Sequence, residues 1–169
     1  MFGGEMGGIA GIIGTKKGFP VDKRIREMMD SMDAWGPDKS DVAVTGRAAF
    51  GAHQLKTRFF ELPENPVKIQ DTVLCFNARF DPPEGRAEPL RSEEEEDFIR
   101  ECLLQSLDDP AALRGDFAVA SWDEKKEELV LIRDHFGKRP LYYAVTPDFF
   151  AFAGEMKAFL LLPGVSDEP

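Results

Sequence analysis

The chain has 169 residues, 43% of them hydrophobic and 31% charged, with a formal net charge of −10. That length fits one domain, able to bury roughly 70% of the surface its unfolded chain exposes. So acidic a surface repels phosphate backbones and anionic bilayers, which argues against nucleic acid or a membrane as a partner.

The Gly-rich start, MFGGEMGGIAGIIG, has no G-x-G-x-x-G spacing and no following Gly-Lys-Ser/Thr, so it does not read as a phosphate loop. It also lacks a basic region followed by an apolar stretch. No apolar run in the chain reaches the roughly 20 residues of a membrane span, so the expected location is cytoplasmic. Residues Ile9 to Ile13 read as a short buried strand. Ile25, Met28, Met29 and Met32 then recur at helical spacing as one apolar stripe, with Asp22 as the expected N-cap and the methionines as core. Trp35-Gly36-Pro37-Asp38 reads as a turn. Strands are expected at Asp41 to Val44, Ala48 to His53, Val67 to Gln70 and Thr72 to Phe76, the last two joined tightly near Asp71. Three prolines and a glycine between Asp81 and Pro89 make that stretch a loop.

A helix is expected from Glu93 to Leu107, with Phe98, Ile99, Cys102, Leu103 and Leu107 on its buried side. The acidic run from Glu93 to Asp97 is then its solvated first turn. Phe117 to Trp122 and Leu129 to Ile132 form one hairpin. Tyr142 to Val145 and Phe149 to Phe152 form another, turning at Pro147-Asp148, and a helix over Gly154 to Leu162 follows. FAVASW, LVLI and FFAFA are apolar on both faces, and such strands need cover on both sides. Two stacked antiparallel sheets with helices outside satisfy this, so the expected fold is an α+β, four-layer α-β-β-α sandwich formed by residues 1–169 as a single domain. Two cysteines, Cys75 and Cys102, are too few for a disulfide framework. The sequence contains no metal-ligand spacing and calls for no cofactor.

Several segments, in order, carry a resemblance. Met6-Gly7-Gly8-Ile9-Ala10-Gly11 is similar to a family start of Met-Cys-Gly-Ile-Ala-Gly. Trp35-Gly36-Pro37-Asp38 matches Arg-Gly-Pro-Asp, Gly51-Ala52-His53-Gln54-Leu55 matches Gly-His-Arg-Arg-Leu, and Phe76-Asn77-Ala78-Arg79 matches Phe-Asn-Gly-Glu. LRGDFAVASWD and LVLIRDHFGKRPLYY, between Leu113 and Tyr143, form the longest match, and FAGEMKAFL from Phe152 to Leu160 closes the set. The chain resembles the N-terminal glutaminase domain of the asparagine synthetase family, a class II glutamine amidotransferase of the N-terminal-nucleophile fold.

The resemblance implies a mechanism. A mature N-terminal cysteine attacks the glutamine amide with its own α-amine as base, and an Asn-Gly pair holds the oxyanion. An arginine and two acids hold the glutamine's carboxylate and amine. Carried over, the nucleophile position is Gly7, which has no side chain, so no catalytic residue is expected. The start of synthesis, Met1 or Met6, stays open. The oxyanion pair is Asn77 and Ala78. The carboxylate-binding arginine falls on Gln54, beside His53, which lacks the charge and the two-pronged fork. The acid after the pair is Arg79, a charge reversal, and the second acid falls on Glu93 or Glu95. Cys75 shares a strand face with Asn77 and is either a look-in nucleophile or a core thiol. Thr15 and Ser31 have no adjacent base, and His135 reads as a surface or structural residue.

The ATP-binding synthetase domain that follows in this family, with its Ser-Gly-Gly-x-Asp-Ser loop, has no counterpart in the sequence. Three functions follow from the resemblance. One is a catalytically inactive structural or regulatory subunit docked on a separate synthetase-type, ATP-dependent protein, or on a second copy of the chain. Another is a module binding an anionic or amino-acid-like small molecule in the degenerate pocket of Gly7, His53, Gln54, Cys75, Asn77, Ala78 and Arg79. The third is a residual glutamine amidotransferase using a different nucleophile.

Overall fold

A computed structural model describes residues 7–32, 38–55, 64–81 and 92–165, with the side chains of residues 92–96 and 106 excepted. The expected turn at Trp35 to Pro37, most of the loop before Pro89 and the side chains of Glu93 and Glu95 lie outside these residues.

Strand β1 (Gly8–Gly14) is buried along its whole length. It pairs antiparallel with β3 (Ala48–Gln54) on one side and β9 (Phe149–Ala153) on the other. The edges of this sheet are β2 (Lys39–Thr45) and β8 (Tyr142–Val145), in the order β2-β3-β1-β9-β8. The second sheet runs β4-β5-β6-β7, from β4 (Val67–Ile69), β5 (Thr72–Phe80), β6 (Gly115–Asp123) and β7 (Glu128–Arg133).

Side-chain alternation sorts three apolar layers. Ile9, Ile13, Ala48, Phe50, Ala52, Val73, Cys75, Ala118, Ala120, Trp122 and Phe152 meet between the sheets. Ile12, Ala49 and Phe149 face helix α1 (Val21–Ser31) and its Ile25, Met28 and Met29, with Met32 just beyond it. Leu74, Phe76, Phe117 and Val119 face helix α2 (Ser92–Asp108) through Cys102 and Leu103. The four-layer α-β-β-α sandwich read from the double-faced strands is therefore the observed architecture. Glycine permits the close approach of α1, because a Cβ on Gly51 would lie 2.5 Å from Met29 Sδ.

Four local expectations are corrected. Pro20, with no side-chain cap, precedes α1, and Asp22 lies in its first turn paired with Arg26. Leu107 is exposed at the end of α2, beyond the reach of the second sheet. The strand LVLI is not covered on both sides: β7 is the sheet edge and leaves Val130 exposed. The last segment is a short 3-10 turn, Met156–Phe159, rather than a helix over Gly154 to Leu162, since only Ala158, Phe159 and Leu162 find core contacts.

Candidate functional site

The space between the sheets is apolar along most of its length and turns polar at one end. On β3, Ala48, Phe50 and Ala52 point inward, and Gln54 continues that face. On β5, Val73 and Cys75 point inward, followed on the same face by Asn77 and Arg79. The two polar ends meet at the start of β1. Asn77 Nδ2 donates to the Gly7 carbonyl at 2.6 Å. A Cβ built on Gly7 would lie 3.3 Å from Asn77 Oδ1 and 3.0 Å from the His53 carbonyl. Sequence positions seventy residues apart are thus joined across the two sheets.

Ala78 turns its side chain toward α2, and its backbone matters more. Asp81 N–H donates to Arg114 on the β6 side, and Phe76 N–H donates the other way, to Asn65 Oδ1 at 3.1 Å. By the ladder's alternation, Ala78 N–H also points away from β6. It points past β4, whose pairing with β5 stops at Leu74. An N–H directed past β4 therefore follows Asn77 in the chain, while the Asn77 side-chain amide is itself given to the Gly7 carbonyl.

Gln54 is half-buried, and its Oε1 is buried without a hydrogen-bond partner. Arg79 is exposed. Asp116 stands opposite it in the β5-β6 register, yet the Asp116 carboxylate is held by Lys138 at 3.0 Å. Among the described residues no carboxylate pairs with Arg79.

Two sequence-derived candidates leave the site. The His53 side chain lies on the opposite face of β3, where its buried Nε2 donates to the Met29 carbonyl at 2.9 Å and ties α1 to the sheet. Pairing parity decides this: Ala52 and Gln54 face inward, so His53 faces out. Cys75 is fully buried between the sheets, with Sγ 3.2 Å from the Gly51 carbonyl. Burial pushes its thiol far above the ordinary range, so it carries no thiolate for attack. The hydroxyls of Thr15 and Ser31 bond to the Pro147 and Met28 carbonyls, and His135 is exposed. Among the described residues no cluster of His, Cys, Asp or Glu has the geometry to hold a metal ion.

Residues 134–140 frame the same end; they lie in the longest match, and His135 alone among them was considered individually from the sequence. Asp134, buried after β7, accepts N–H bonds from Phe136 and Lys138 at Oδ1 and from Arg139 at Oδ2, at 3.0 to 3.1 Å. Burial raises its carboxyl, but the N–H groups of Arg139, Lys138 and Phe136 outweigh it and hold the group below the usual carboxylate range. Arg133 grips the loop's Gly137 and Arg139 carbonyls. The loop starts beside Phe117, which pairs with Ala78, and reaches Gly154, beside Ile9. It therefore bridges the sheets at the level of Gly7. The signal available in sequence was an Asp three residues before a Gly of positive φ, a turn built on a carboxylate.

Two stacked antiparallel sheets, an outer helix on each, and the residue just before the first strand set against a strand asparagine fit the class II glutamine amidotransferase fold. The glutamine phosphoribosylpyrophosphate amidotransferase of B. subtilis, solved with ADP and GMP, shares the fold at a TM-score of 0.65 and 16% identity, over 90% of this chain and 42% of that one. Residues 87–161 match the glutamine amidotransferase domain family.

The chain is homologous to the glutaminase domain of the asparagine synthetases. It is 30% identical to the glutamine-hydrolysing asparagine synthetase 3 of Bacillus subtilis over 95% of its own length and 28% of that protein's. A shorter stretch of 48 residues is 44% identical to the amidase chry2 of Gibberella zeae, covering 28% of this chain and 7% of that protein. The chain thus spans less than a third of the length of these relatives.

Proposed function

We propose that this chain is a glutaminase-type domain that does not hydrolyse glutamine and serves a separate, ATP-dependent amide-forming enzyme as a structural or regulatory subunit. The observation that carries this reading is Gly7. The sequence resemblance aligns Gly7 with the cysteine that the homologous mechanism requires, glycine offers no thiol, and the contact of Gly7 with Asn77 supports that alignment. Recognition of a zwitterionic amino acid is weakened by the same set of residues. Gln54 has no charge for an α-carboxylate, and Arg79 repels an α-ammonium group.

The alternative of a substitute nucleophile is disfavoured by the state of the thiols. Cys75 is held protonated in the core, and Cys102, on the buried side of α2, is pushed up to about 11 by burial and by the neighbouring Glu101. The scaffold around the site is nonetheless intact, which is what a docking role requires. The test is native purification of the tagged protein with mass spectrometry of what accompanies it. A stoichiometric synthetase-type protein is expected; a chain that stays alone at its native concentration contradicts the subunit role.

A further inference from the structure

We propose that Asn77 works in this chain as a strut between the two sheets, and that its bond to Gly7 withdraws the amide from any substrate oxygen. The inference rests on the reading that this end does not hydrolyse glutamine, and it adds a second obstacle to the missing thiol. Asn77 Nδ2 donates to the Gly7 carbonyl at 2.6 Å. The amide cannot be reversed in place, because its own oxygen would then face the carbonyl oxygen, acceptor against acceptor. Its acceptor end is therefore the one turned toward the side-chain position of residue 7. A Cβ built there meets Asn77 Oδ1 at 3.3 Å, Asn77 Cγ at 3.6 Å and the His53 carbonyl oxygen at 3.0 Å. An oxyanion hole presents N–H donors at about 2.7 to 3.1 Å from the developing charge. A side chain carried at position 7 starts instead beside two acceptors.

The strand that carries Asn77 is fixed from its other side as well. Asn65, 1% exposed, donates Nδ2 to the Phe76 carbonyl at 2.5 Å and accepts the Phe76 N–H at Oδ1, at 3.1 Å. One side-chain amide thus does for Phe76 what a residue of a neighbouring strand would do, beyond Leu74, where the pairing with β4 stops. On the opposite edge Asn77 stands across from Ala118 of β6. Phe76 and Asn77 are held by Asn65, by β6 and by Gly7, so re-aiming the Asn77 amide means breaking its bond to Gly7 with no backbone shift to share the change. Side chains kept for catalysis tend to cost a fold stability. A bond that joins the two sheets across seventy sequence positions contributes it instead.

The test is urea unfolding of the full chain, of Asn77→Ala, of Gly7→Ala and of the two combined, with glutamate release from L-glutamine followed in the same samples. Asn77→Ala is expected to lower the unfolding midpoint, the folding equilibrium constant falling about fivefold or more, the usual worth of one hydrogen bond. Gly7→Ala lowers the midpoint too, because its methyl group meets the His53 carbonyl and Asn77 Oδ1. That cost shrinks once Asn77 is replaced, so the two changes are not additive. The side-chain amide resonance of Asn77, assigned by its loss in Asn77→Ala, is expected to stay in place when L-glutamine is added. An Asn77→Ala midpoint equal to or above the parent's, additive costs in the combined variant, or a shift of that resonance with glutamine overturns the inference. Glutamate release overturns the functional reading beneath it, whereas an Asn77→Ala chain as stable as the parent, without release, overturns this inference alone.

Discussion

The loop of residues 134–140 and the cluster of Gly7, Gln54, Asn77 and Arg79 close the same end of the sandwich and are built in opposite ways. In the loop, one buried carboxylate gathers three backbone N–H groups and one arginine holds two carbonyls, so these particular groups answer one another. In the cluster, only Asn77 is so answered, through Gly7, while the Gln54 oxygen and the Arg79 cation have no partner among the described residues. Most buried polar groups in a folded protein are paired, so an unpaired one calls for an explanation. The difference separates what holds the domain together from what its site was shaped to meet.

Substitutions on the two sides are expected to separate just as clearly. Asp134→Ala leaves three loop N–H groups without their charged acceptor and costs about 3 kcal/mol or more, read as a lower urea midpoint. His53→Ala costs about 1 to 2 kcal/mol, because the Met29 carbonyl loses its buried donor; a pocket residue would instead leave stability untouched.

The pH dependence follows the loop. Asp134 has its folded carboxyl below the unfolded value of about 3.9, so its contribution is present above that value and is lost as pH falls through the depressed folded range. Chemical unfolding across acid pH is expected to show that loss, with Asp134→Asn flattening it. Arg79→Ala, the smallest effect, stays within about 0.5 kcal/mol of the parent. A large cost there would mean that Arg79 serves the fold, and the contrast between the two regions would fail.

Much of this was legible in the sequence because it depends on alternation and spacing. Double-faced apolar strands required two sheets and outer helices, and Ile25, Met28 and Met29 marked the face of α1. Cys102 was correctly a core thiol. Placing Gly7 against Asn77 required the ordered resemblance, since no local pattern joins residues seventy apart. His53 was misplaced because motif adjacency ignores strand parity: a residue beside Gln54 must face the other layer. The final helix was misread because periodicity over nine residues does not reveal that the core ends at Leu162. Asp134 went unnoticed because its role lies in backbone N–H groups, which every sequence has.

Glutamate release from L-glutamine by the purified chain tests the central claim most directly. The account predicts none above the buffer rate, and none after Cys75→Ala. Glutamine-dependent release that tracks protein concentration would contradict it, and the loss of that release in Cys75→Ala would move the nucleophile into the core position that burial argues against.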